Sequence, residues 1–135
     1  MAERGLVGSG TDVTGFGLLG HLSSICRASR VGAGIHALQV PVIGKEVFDL
    51  IAKECIPGGS RENLKAANEF VDWDDAIDAQ KYLLTDAQTS GGLLLCVAPR
   101  RLNDVLKILK RHRTPCAAVI GRIVRSARPQ IWIQP

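Results

Sequence analysis

Aromatic side chains are scarce in this sequence: two Trp, one Tyr and three Phe make up 4% of its 135 residues. Surfaces that bind single-stranded nucleic acid stack bases on aromatic faces, and none interrupts the basic residues between Arg100 and Arg128. A nucleic-acid partner is therefore not expected, and that basic stretch reads as a solvated helix face with the segments after it. No apolar run approaches the roughly 18 to 20 residues a membrane helix needs. Met1 to Gly8 also lacks the apolar centre of a secretory leader. A cytoplasmic protein without membrane contact is expected. The four cysteines, Cys26, Cys55, Cys96 and Cys116, show neither CxxC nor any other metal-ligand spacing; buried free thiols are the expectation. A Walker A sequence and a His/Cys/Asp nucleophilic arrangement are missing too, which removes the common ATPase and hydrolase templates.

What is present is a chain 46% hydrophobic, long enough to close one core but hardly two. With so few aromatics, that core must come from Leu, Ile, Val and Ala, with Trp73, Trp132 and the three Phe as its large pieces. Phe16, Leu18, Leu19, Leu22, Ile25 and Cys26 recur at three and four, which predicts a helix over 15–29 capped by Thr14. Gly32 and Gly34 break that pattern, and 35–40 reads as a strand ended by Pro41. A helix over 44–54 stops at Pro57-Gly58-Gly59, and Ser60 is placed to cap another over 61–70. The carboxylates of 72–78 suit a turn or an exposed helix start. A polar loop over 86–92 delivers 93–98, apolar on both faces and so expected as a central strand. Pro99 opens a helix to His112, and 116–124 and 130–133 read as strands. The expected fold class is α+β, a mixed sheet flanked by helices in α/β/α layers. Residues 1–10, weakly patterned, read as a truncated lead-in to one domain over 11–135.

One segment stands out chemically. From Gly10 to Leu22 a carboxylate, Asp12, and two hydroxyls, Thr11 and Thr14, precede a glycine-rich helix start with Gly15, Gly17 and Gly20. A helix N-terminus offers unpaired N–H donors to an anion, and glycines let backbone approach it. Asp12 supplies the hard oxygen that Mg²⁺ prefers, although one carboxylate is an incomplete set of ligands. The same residues could merely cap and pack a helix. Gly15 to Gly20 also spells GxGxxG, but no strand pattern leads into it and no acidic residue follows about 20 positions on, so the dinucleotide reading is rejected.

Thr11-Asp12-Val13-Thr14-Gly15-Phe16-Gly17-Leu18-Leu19-Gly20-His21 resembles the segment that opens the C-terminal domain of selenophosphate synthetases. A second block, Thr85-Asp86-Ala87-Gln88-Thr89-Ser90-Gly91-Gly92-Leu93, is similar to that family's DPQTSGGL segment, with Ala87 where proline is usual. Pro57 to Ser60 with Asn63, and Ile120 to Ile123, agree in order and spacing, so the resemblance covers nearly the whole chain. It implies a C-terminal domain of the AIR synthetase-like kind, working in an enzyme that makes selenophosphate, AMP and phosphate from ATP, selenide and water. It further implies Mg²⁺ bound with ATP, Asp12 as a metal ligand, and Thr11, Thr14, Gly15 and Gly17 around the phosphates. Asn63, Asp86, Gln88, Thr89 and Ser90 become loop-ordering or contact residues, and His21 a packing residue. The implied partners are an N-terminal domain carrying the selenium-handling residue and the other metal ligands, and a second copy in a homodimer. Alone, this chain should be inactive. The alternatives are a related synthetase or kinase for another small substrate and a basic nucleic-acid-binding module.

Overall fold

The apolar periodicity after residue 14 forms helix α1, Gly17–Ser29, in a computed structural model that describes residues 5–134. Met1–Arg4 of the expected lead-in and Pro135 lie outside the described residues. Leu19, Leu22 and Cys26 make the buried stripe, and burying each leucine contributes about 1.5 to 3 kcal/mol. Leu19→Ala would leave a cavity and cost about 2 to 5 kcal/mol. Phe16 is not part of the stripe: it stands at the N-cap position, 70% exposed. Thr14 does not cap the helix, since no side chain bonds its first turn. At the other end Arg30 adopts φ 53°, and the Val31 N–H donates to the Cys26 carbonyl at 3.0 Å, closing the helix as glycine-terminated helices close.

The chain then enters strand β2, Gly32–His36, earlier than expected. Both glycines that read as breakers are strand residues; at Gly32 the cause lies across the sheet, where a Cβ would come within 2.6 Å of the Trp132 ring, while a Cβ at Gly34 would meet nothing within 4 Å. A short 3₁₀ turn, Ala37–Gln39, replaces the second half of the predicted strand. Helix α2, Glu46–Ala52, buries no residue. Helix α3, Gly58–Ala67, begins two residues before Ser60, so Ser60 lies inside it rather than capping it. After β3, Val71–Asp72, comes helix α4, Asp78–Thr85, started by the Gln80 side chain, whose Oε1 accepts the Ile77 N–H at 3.1 Å. Strand β4 is Leu93–Cys96. A 3₁₀ turn at Pro99–Arg101 leads into α5, Leu102–Arg111, and only Gly121–Val124 of the stretch predicted from Cys116 pairs, as β5. Strand β6, Ile131–Gln134, follows.

The fold is α+β with a mixed sheet. Four strands lie in the order β3-β6-β2-β5, with β2 antiparallel to β5 and parallel to β6, and β3 parallel to β6. The remaining two, β1 (Ser9–Asp12) and β4, form a separate antiparallel ribbon. Strand β4 is therefore not central: it has one partner, Leu94 is buried, and Leu93 is 72% exposed. Ser9 and Gly10 of the expected lead-in already belong to β1. Between ribbon and sheet, α1 packs on α3, α4, β1 and β2, and Leu19, Leu22, Ala33, Ile35, Ala67, Leu84, Leu94, Ile131 and Ile133 fill the core. Trp73 and Phe70 flank it, but Phe16 and Phe48 are exposed, so the large residues contribute less to the interior than composition suggests.

Candidate functional site

The ribbon brings the two distinctive blocks together. Its register sets Thr11 opposite Leu94 and Asp12 opposite Leu93. The pairing continues past the strand ends: the Val13 N–H donates to the Gly92 carbonyl at 2.9 Å, and the Gly91 N–H to the Val13 carbonyl at 3.0 Å. The Thr14 carbonyl then accepts from both Gln88 N–H, at 3.1 Å, and Gly17 N–H, at 3.0 Å. Every one of these bonds is backbone to backbone.

Where the chain turns from β1 into α1, Gly17 is buried with φ 67°. A Cβ there would sit 2.7 Å from the carbonyl carbon and oxygen of Thr85. Only glycine suits both the angle and the approach. Asn63, on α3, ties the same junction by donating through Nδ2 to the Gly15 carbonyl at 2.8 Å and the Thr85 carbonyl at 3.0 Å. Ser60 is completely buried; its Oγ donates to Asp86 Oδ1 at 2.6 Å and accepts from Ala87 N–H at 3.1 Å. The other Asp86 oxygen accepts from Gln88 Nε2 at 2.7 Å. Both oxygens of Asp86 are thus engaged in holding the second loop. Thr89 and Ser90 are exposed at its tip.

Asp12 is different. It is exposed, and among the described residues its carboxylate accepts no hydrogen bond and joins no ion pair; the Thr11 hydroxyl reaches only its backbone carbonyl, at 3.0 Å. A free carboxylate on a rigid strand end, beside the start of α1, suits one ligand position of a hard cation. No group of three or more His, Cys, Asp or Glu able to hold a metal occurs among the described residues, so the remaining ligands would have to come from elsewhere.

Sequence reasoning missed Ser60 and understated His21. Ser60 gave only a local capping signal, and its partner Asp86 lies far along the chain. His21 Nε2 accepts the Thr14 backbone N–H at 3.1 Å and lies 3.0 Å from the Thr14 hydroxyl. Two of the cysteines, Cys26 and Cys96, are set back by burial. Cys26 is buried, and burial first and the neighbouring Cys96 second push its thiol pKa up; burial alone raises that of Cys96. Cys55 and Cys116 are exposed and Cys96 is half-buried, so of the expected buried thiols only Cys26 is fully so. A cavity of about 190 Å³ between Asp72, Asp74, Trp132, Ile133 and Gln134 lies apart from both blocks and is smaller than ordinary ligand pockets. No helix among the described residues is long and apolar enough to cross a membrane.

The family described as AIR synthase related protein, C-terminal domain, matches residues 1–134. The chain belongs to this family. It is 43% identical over 124 residues to the selenide, water dikinase of Photorhabdus laumondii, covering 92% of this chain and 35% of that protein. With the selenide, water dikinase of Yersinia pestis it shares 48% identity over 102 residues, 76% of this chain and 28% of the relative. The chain thus spans about a third of the length of these relatives. Among solved structures, thiamine-monophosphate kinase from Stenotrophomonas maltophilia superposes with a TM-score of 0.58 at 17% identity, over 95% of this chain and 32% of the other, a likeness of fold.

Proposed function

We propose that this chain is the C-terminal domain of a selenide, water dikinase, an enzyme that makes selenophosphate, AMP and phosphate from ATP, selenide and water. The observation that carries the reading is the 43% identity with one such enzyme across 92% of the chain. The site supports it physically. Asp12 presents an uncommitted carboxylate beside the first turn of α1, whose leading N–H groups have no partners within the helix. Asp12 is the residue that would hold Mg²⁺, which when bound neutralises charge on the ATP phosphates. Thr11, Thr14 and Gly15 line the turn on the ligand side, while Gly17 shapes it through packing. Asn63, Asp86 and Gln88 hold that turn and the second loop in register, and Thr89 and Ser90 offer exposed hydroxyls for contact.

Phosphoryl transfer needs several charges to hold phosphates and metals in line, and this chain supplies one carboxylate. The remaining ligands and the selenium-handling group belong to a preceding domain, dimerisation to the assembled enzyme, and the setting is the cytoplasm. The test is selenide-dependent AMP release when the preceding domain is supplied by fusion or in trans. Activity should require both parts and fall about 100-fold or more in Asp12→Asn. Full activity in Asp12→Asn removes the metal role, and no release from a folded, associated complex removes the substrate assignment. On its own, the chain should bind Mg-ATP weakly or not at all by calorimetry; submicromolar binding would contradict the division of charges.

A further inference from the structure

Thr14 is the most heavily bonded residue of the turn. Its carbonyl accepts from Gly17 and Gln88, its N–H donates to His21 Nε2 at 3.1 Å, and its hydroxyl lies 3.0 Å from the same nitrogen. A neutral imidazole has one nitrogen lone pair and one N–H. Because a backbone N–H can only donate, Nε2 must be the acceptor and the ring proton must sit on Nδ1. The hydroxyl can meet Nε2 only as a second donor to a lone pair that the backbone N–H already takes. The ring is fixed from a second side by Phe16, whose centroid lies 5.8 Å away at 59°. His21 stands in the second turn of α1 and reaches back past an N-cap residue that offers no side-chain bond. It does for this helix start what a capping glutamate does elsewhere, two residues further out.

We propose that His21, as the Nδ1–H tautomer, is a positioning residue for the ligand-facing turn. It fixes Thr14 between Asp12 and Gly15 and couples that turn to the second loop through the Thr14 carbonyl. The kinetic consequence rests on the function proposed above; the tautomer does not.

Two measurements test this. On the chain itself, a long-range ¹H–¹⁵N spectrum should show His21 protonated at Nδ1 and not at Nε2. The Thr14 amide should exchange slowly in the parent and at least tenfold faster in His21→Leu, which cannot accept its hydrogen bond. On the enzyme assembled with its preceding domain, His21→Leu should raise the KM for Mg-ATP about tenfold, whereas His21→Gln, whose amide oxygen can still accept, should recover most of the loss. An Nε2–H tautomer, or an unchanged KM in a folded His21→Leu enzyme, overturns the proposal. If the assembled parent enzyme lacks selenide-dependent activity, the functional reading fails, and tautomer and amide exchange still decide the role of His21.

Discussion

Gly17→Ala tests the construction of the site most directly. Holding an L-residue at φ 67° costs about 1 to 2 kcal/mol. The added methyl would also stand 2.7 Å from the Thr85 carbonyl, a contact with backbone that no rotamer can relieve; overpacking of this kind costs about 1 to 3 kcal/mol. Against these, restricting the unfolded chain returns about 0.4 to 1 kcal/mol. The net loss is about 1 to 4.5 kcal/mol, against the roughly 5 to 15 kcal/mol that holds a domain together. For a chain of this size the melting temperature should fall by about 10 °C. Gly15→Ala is the matched control: a Cβ there meets nothing within 4 Å and its φ is not positive, so stability should hold or rise slightly. Urea unfolding of both variants, followed by circular dichroism, gives the comparison at constant m-value. If Gly17→Ala unfolds within about 1 kcal/mol of the parent, the close approach of α1 to the end of α4 is not what the geometry implies.

Further outcomes are expected. Ser60→Ala should destabilise by about 1 to 3 kcal/mol in denaturant titrations, because Asp86 and the Ala87 N–H lose a buried partner together. Arg30→Gly should stabilise by up to about 1 kcal/mol, since glycine takes the left-handed angle at that helix end without strain, and a lower melting temperature would refute this. Cys55 and Cys116 should react quickly with a thiol reagent at pH 8 and Cys26 only on unfolding, read by mass spectrometry of the labelled chain. The raised pKa of Cys26 and Cys96 makes the folded state hold their protons more tightly than the unfolded one. Stability should therefore be intact below the ordinary thiol pKa of about 8.5 and decline as pH rises through and above it.

Much of this molecule was legible in its sequence where the cause is local. The stripe of α1, the turn at Pro57, the loop over 86–92 and the helix after Pro99 follow from side-chain periodicity and from glycine and proline, which act on their own stretch of backbone. Misreadings arise where a distant residue decides. Gly32 looks like a breaker until the Trp132 ring is placed against it. Ser60 looks like a cap until Asp86 reaches it. The run at Leu93 is apolar on both sides, which suggests two flanking layers, yet its strand pairs only with β1 and leaves Leu93 in solvent. In the site, the two blocks could be recognised by residue type, but their union is made by main-chain atoms of Val13, Thr14, Gln88, Gly91 and Gly92. Such atoms are the same in every sequence, so nothing in the residue names announces the pairing.

The ribbon also bears on the order of folding. Joining Asp12 to Leu93 closes a loop of about 80 residues, an entropic cost of roughly 4 kcal/mol before any contact offsets it. Helices α1 and α3 can form from neighbours in sequence; β1 must wait for β4. During synthesis the segment carrying Asp12 emerges first and stays unpaired until the second block has left the ribosome, with a bare strand edge open to other chains meanwhile. A partly folded molecule therefore lacks the organised turn between β1 and α1.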